Sequence, residues 1–203
     1  IGLGGILQKF YKQNIYIIYM TDGSGGYDHS KYEYNPQKAR NLLDEAGYPN
    51  GFSVELWQGN SDQVSYITEA IQAQLINVGI TINIIKTDWS IYTQAINEGV
   101  PDMYYRSWYA DYPDAENFIA PLFESSISKK RWNRYSNLQL DSLIYILQTD
   151  INNKSALIEA NKILINDVPW IYLWHTKTPY IAQKNIINWT PKTMFNAEKF
   201  INI

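Results

Sequence analysis

Phe52-Ser-Val-Glu-Leu-Trp57 alternates apolar with polar residues, the period-2 signature of a half-buried strand. A helical run opens near Asp62, with Ile67, Ile71, Leu75 and Val78 at helical spacing until Gly79 stops it. Ile80-Thr-Ile-Asn-Ile-Ile85 then repeats the strand pattern. Strand, helix and strand with short connections form a βαβ unit, which predicts two parallel strands with a right-handed crossover.

Working outward, Asn35-Pro36 reads as a helix start, with Asn at the N-cap and Pro at the first helical position. Leu42, Leu43 and Ala46 supply its apolar face, and Gly47 fits its C-terminal end. A shorter helix is expected from Trp89 to Glu98, and a third strand from Asp102 to Trp108. Two further helices follow, one carrying Leu140, Leu143, Ile144 and Leu147, the other Leu157, Ala160 and Leu164. Trp170-Ile-Tyr-Leu-Trp174 reads as a short strand bracketed by aromatics, and Tyr180–Ala182 as another. Residues 1–34 read as irregular around the loop Thr21-Asp22-Gly23-Ser24-Gly25-Gly26. The class is α/β, one main lobe with irregular ends.

Composition narrows the function. The 203 residues carry 17 Lys+Arg against 20 Asp+Glu, a formal charge of -3 with no basic stripe, which argues against a nucleic-acid partner. The absence of cysteine removes disulfides, thiol nucleophiles and thiolate metal sites. The longest apolar run, Ile15 to Met20, is far shorter than the roughly 20 residues of a spanning helix. Chain order opens on Ile1 without a signal-peptide layout, so the expectation is a removed targeting segment or a piece of something longer. The 17 Tyr and 7 Trp are the unusual feature, because such rings suit recognition surfaces as well as cores. Trp57, Trp170 and Trp174 lie in strand patterns and are expected in the core.

For catalysis the residues offer little. His29 lies in a polar loop and His175 at a strand end, and Asp22-Gly-Ser-Gly-Gly26 lacks the first glycine of a nucleophile elbow. It also lacks the Gly-Lys-Ser/Thr of a phosphate loop. Asp111, Asp114 and Glu116 offer carboxylates to a hard cation, but their spacing is not that of a calcium loop. The plainer expectation is that Asp114 caps a short helix beginning near Ala115, with Glu116 aiding its N-terminal dipole. The segment Arg106-Ser-Trp-Tyr-Ala-Asp-Tyr-Pro-Asp-Ala-Glu-Asn-Phe118 leaves a predicted strand and enters a turn, the edge of an α/β sheet where ligands bind. There Asp111 beside Trp108, Tyr109 and Tyr112 suits a cationic group covered by rings, against the alternative of a solvated loop carboxylate over packed aromatics.

Three stretches resemble the extracytoplasmic solute-binding proteins of peptide-type ABC importers, the oligopeptide/dipeptide-binding family. They are Tyr34-Asn-Pro-Gln-Lys-Ala-Arg-Asn-Leu-Leu-Asp-Glu-Ala-Gly-Tyr-Pro-Asn-Gly-Phe52, the segment Trp108 to Phe118 with Pro121-Leu-Phe-Glu-Ser125, and Asn161 to Trp170 running on to His175. Their order agrees with the family over about residues 28 to 190, and Ala115 departs from a frequent proline. The resemblance implies a periplasmic-binding-protein-like lobe with βαβ units and a partly parallel sheet. It implies the C-terminal lobe of a two-lobed receptor: a junction over 1–34, the ligand-binding lobe over 35–179, and a tail over 180–203 returning towards a missing N-terminal lobe. It carries to Asp111 the role of pairing with the α-amino group of a bound peptide, and places Trp108 in the same cleft. The implied partners are a peptide or similar small solute and the ABC permease subunits, with no cofactor. The implied location is extracytoplasmic, either free in a periplasm or lipid-anchored through a preceding segment. A carbohydrate-active hydrolase using Asp111 and Glu116 with aromatic platforms is the alternative, and an interaction lobe whose aromatics are simply core is the third.

Overall fold

The computed structural model describes residues 34–173 except 110, 113, 132 and 172. The strand expected at 180–182 and the irregular stretch expected over 1–33, together with His29, Trp174 and His175, lie outside the described residues.

The first helix, α1 (Pro36–Glu45), starts as the sequence dictates: Asn35 Oδ1 accepts the Lys38 N–H at 2.8 Å, and Pro36 opens the helix. Strand β1 (Phe52–Gly59), helix α2 (Asp62–Leu75) and strand β2 (Ile80–Thr87) form the βαβ unit, with β1 and β2 parallel from Phe52↔Ile80 to Gly59↔Thr87. A 3-10 turn over Ile76–Val78 ends α2, and Gly79 follows at φ +94. Two glycines permit this register. A Cβ on Gly51 would sit 1.7 Å from the Gly79 carbonyl oxygen, the same oxygen that accepts the Phe52 N–H at 3.2 Å. The strands start level because their approach is backbone on backbone.

Helix α3 (Trp89–Glu98) leads to β3 (Met103–Tyr104), which adds to the other side of β1 in parallel, so the strand order is β2-β1-β3. The third strand is shorter than the expected Asp102–Trp108. At its start the Asp102 side chain takes the place of a main-chain acceptor, receiving the Glu55 N–H at 3.0 Å. At its end Tyr105 N–H donates to the Trp57 carbonyl at 3.0 Å, and the chain then leaves the sheet.

Two apolar cores result. In the first, Val54 and Leu56 of β1, Ile80 and Ile82 of β2 and Met103 of β3 are covered by Ala39, Leu43, Ile71 and Leu75 from α1 and α2. The buried face of β1 ends in a polar residue. Gln58, 0% exposed, has its carboxamide matched by the Ser65 and Thr68 hydroxyls of α2, so a buried amide is satisfied rather than orphaned. Trp57 points to the other face and is half-buried, its indole N–H donating to Glu55 at 2.8 Å; the core position expected for it is not observed.

The second core is helical. Short helices α4 (Ala120–Phe123) and α5 (Ser125–Arg131) precede the pair α6 (Leu138–Thr149) and α7 (Lys154–Asp167), which pack Leu140, Ile144, Leu147, Ala156, Ala160, Ile163 and Leu164 around Phe123. The described residues of the expected strand at 170–174 are not in a strand. Trp170 instead lays its ring edge-to-face against Phe123 at 5.5 Å, so its apolar pattern reflects packing rather than pairing.

Candidate functional site

All three parallel strands end on one side, at Gly59, Thr87 and Tyr104, and the loop after β3 crosses that carboxyl edge. The loop's first contacts are cationic and aromatic. The Arg106 guanidinium lies 5.5 Å from the Trp89 ring centroid, and Trp89 leans on Tyr92 at 5.6 Å. Tyr92 donates its hydroxyl to the Tyr105 carbonyl, and burial pushes the Tyr92 phenol well above its ordinary range. Burial also lowers the Arg106 pKa and, in the opposite sense for a phenol, raises that of Tyr105. Sequence reasoning assigned Trp89 no part at this edge. Its only signal was its position at the first turn of the helix that follows β2.

Beyond Arg106 the loop turns over the second core. Trp108 is half-buried against that core and donates its indole N–H to the Asn117 carbonyl at 2.8 Å. Tyr109 is 74% exposed. Asp111 is exposed; its main-chain N–H donates to Asn117 Oδ1 at 2.8 Å, while its carboxylate meets no hydrogen-bond or ion-pair partner among the described residues. Tyr112 is partly exposed and donates its hydroxyl to Glu116, which is the largest cause raising its phenol pKa; a hydrogen bond with Asn117 pulls the other way.

The capping expectation at Asp114 holds: its side chain accepts the Glu116 N–H at 2.8 Å at the head of a 3-10 turn over Ala115–Phe118. Asp111 and Glu116, paired in the hydrolase alternative, differ in setting. Glu116 is 6% exposed and accepts from Tyr112 and from Gln148 Nε2 of α6 at 3.2 Å, which makes it a joint between loop and helix. Asp111 faces solvent. Among the described residues no three His, Asp or Glu side chains gather as a metal-holding group, so Asp111, Asp114 and Glu116 do not share one centre. The buried Asn117, which bonds to both Trp108 and Asp111, was not identified from the sequence, where one asparagine among several carries no distinguishing signal.

Comparison with known proteins places the chain in a family. The family described as bacterial extracellular solute-binding proteins, family 5 (middle part), matches residues 6–130. Heme-binding protein A of Haemophilus influenzae is 30% identical over 154 residues, covering 71% of this chain and 28% of that protein. The glutathione-binding protein GsiB of Salmonella choleraesuis is 34% identical over 181 residues, covering 82% and 35%. The chain thus spans about a third or less of the length of these relatives. Among solved structures, the dipeptide binding protein of Pseudoalteromonas sp. SM9913 in complex with Met-Leu aligns with a TM-score of 0.62 at 30% identity, covering 68% of this chain and 29% of that one. HbpA2 of Haemophilus parasuis aligns with a TM-score of 0.64 at 25% identity, covering 71% and 31%. These relatives are binding proteins rather than enzymes, and their fold is that of periplasmic binding proteins. With the match to the family running through more than half of its residues, the chain belongs to the bacterial extracellular solute-binding proteins of family 5.

Proposed function

We propose that this chain is the ligand-contacting, C-terminal lobe of a non-catalytic receptor that captures a peptide or similar small solute outside the cytoplasm and delivers it to the permease subunits of an ABC importer. In this reading residues 35–179 form the lobe, 1–34 the junction, and 180–203 a tail towards an N-terminal lobe of the same protein. The receptor is either free in a periplasm or held to the outer face of the membrane by a lipid. Relatives named for glutathione and heme binding, and a neighbour holding Met-Leu, support a small solute and leave peptide as the favoured class.

The observation that carries the reading is Asp111. Its carboxylate stands exposed and unpartnered among the described residues, with its main-chain N–H tied to Asn117, on the loop that leaves the strand edge where α/β folds bind ligands. A peptide α-ammonium brings the charge and the donors that such a carboxylate lacks. Trp108 and the exposed Tyr109 and Tyr112 flank it and offer apolar cover on either side of the salt bridge. Closure of a second lobe over the ligand removes water from the pair and strengthens it. The hydrolase alternative gains nothing from the geometry, because Glu116 is turned into the fold and already accepts two hydrogen bonds.

The test is selective. In the full-length protein, Asp111→Ala is expected to weaken a free-amine dipeptide about tenfold to a hundredfold, the range of a charge-assisted hydrogen bond. The N-acetylated dipeptide should change little. Titration calorimetry with both peptides decides it, and equal losses for the two would remove Asp111 from this role.

A further inference from the structure

We propose that Asn117 is the positioning residue of the amine site: it sets where Asp111 presents its carboxylate, so amine recognition depends on a buried carboxamide that never meets the ligand. This rests on the reading of Asp111 as the amine anchor.

Asn117 is 2% exposed, beneath a loop whose Tyr109, Asp111 and Tyr112 all face solvent. It bonds to that loop at two points. Its side-chain Oδ1 accepts the Asp111 main-chain N–H at 2.8 Å, and its own carbonyl accepts the Trp108 indole N–H at 2.8 Å. Asn117 therefore holds the Asp111 main chain through its carboxamide and the Trp108 ring through its own carbonyl.

Asn117 is in turn held from below. Its N–H donates to the Asp114 carbonyl at 3.3 Å within the 3-10 turn, and the adjoining Glu116 fastens that turn to Gln148 of α6. The turn is continuous with Ile119 and Ala120, which are buried in the second core. A chain of packed and hydrogen-bonded groups thus runs from the helical core to the Asp111 backbone. The side-chain requirements are narrow. Leucine matches the volume but accepts nothing, leaving the Asp111 N–H without its partner. Aspartate keeps an acceptor but adds a buried charge beside Glu116.

Two measurements test this. The first needs no variant: hydrogen exchange followed by NMR should find the Asp111 amide protected, although its side chain is exposed, whereas an Asp111 amide exchanging as fast as an open loop would overturn the proposal. The second uses the full-length protein with Met-Leu and N-acetyl-Met-Leu as probes, comparing wild type, Asn117→Leu, Asp111→Ala and the double variant. Asn117→Leu should weaken Met-Leu about tenfold, on the scale of one buried hydrogen bond, and leave the acetylated peptide within about twofold. In the Asp111→Ala background the Asn117 change should add nothing, the sign of a residue acting through another. Equal losses for both probes, or an undiminished loss in the double variant, would overturn the positioning role. If Asp111→Ala itself fails to distinguish the probes, or wild type binds neither, the anchor reading falls instead, and the exchange result still decides whether Asn117 holds the loop.

Discussion

Gly51→Ala should lower stability by at least about 3 kcal/mol and uncouple the start of the sheet. Two causes add. Gly51 has φ +70, where an L side chain costs roughly 1–2 kcal/mol before any contact is considered. Its new Cβ would also fall 1.7 Å from the Gly79 carbonyl oxygen, a backbone atom that cannot rotate away. Relief requires the β1 and β2 starts to part, which breaks the Phe52 N–H to Gly79 bond and disturbs the register that follows from it. Gly47 is the internal control. It also has positive φ, +88, but a Cβ there meets nothing within 4 Å, so Gly47→Ala should cost only the conformational strain. Urea melts of the two variants measure the difference, and equal midpoints would contradict the close approach.

The other large effect lies in the helical core. Phe123→Ala is expected to cost about 3–5 kcal/mol. Phe123 is 0% exposed, at the centre of the core between α6 and α7, with edge-to-face contacts to Tyr135 at 6.3 Å and Trp170 at 5.5 Å. Truncation leaves a cavity that neither ring can fill without leaving its own contacts. Trp108 packs on the same core, so the damage should reach the loop after β3 and, if the proposed amine site is right, weaken dipeptide binding along with stability. Thermal and denaturant melts read the first effect and calorimetry the second. A loss below about 1 kcal/mol would mean that this core collapses freely around the missing ring.

How much of this was readable before any coordinates follows from where each signal comes. The βαβ unit was legible because period-2 and period-3.6 patterns report burial on one face, and Val54, Leu56, Ile71 and Leu75 are indeed buried. The Asn35 cap was legible because capping is local chemistry. The third strand was overextended because Arg106, stacked on Trp89, and Trp108, packed on the helical core, lie past Tyr104 in contacts that periodicity cannot tell from pairing. Trp170 misled for the same reason, its neighbours being a phenylalanine ring rather than a strand. Helices α4 and α5 escaped because each is too short to show a period.

On the loop after β3, Asp111 and Trp108 were singled out by an acid beside aromatic rings and given their proposed roles by resemblance, and the cap at Asp114 was legible from local chemistry alone. In the hydrolase alternative Glu116 served as a second free carboxylate, because sequence does not reveal which way a side chain faces; in the fold it accepts from Gln148, 32 residues on. Asn117 stayed hidden for a related reason, since its value lies in two contacts made to residues six and nine positions earlier.

The most direct test is a crystal structure of the full-length protein with a free-amine dipeptide such as Met-Leu. The ammonium nitrogen should lie about 3 Å from an Asp111 carboxylate oxygen, with the Asp111 N–H still bonded to Asn117. A dipeptide bound with its amine away from Asp111, or seated off the carboxyl edge of the sheet, would contradict the assignment.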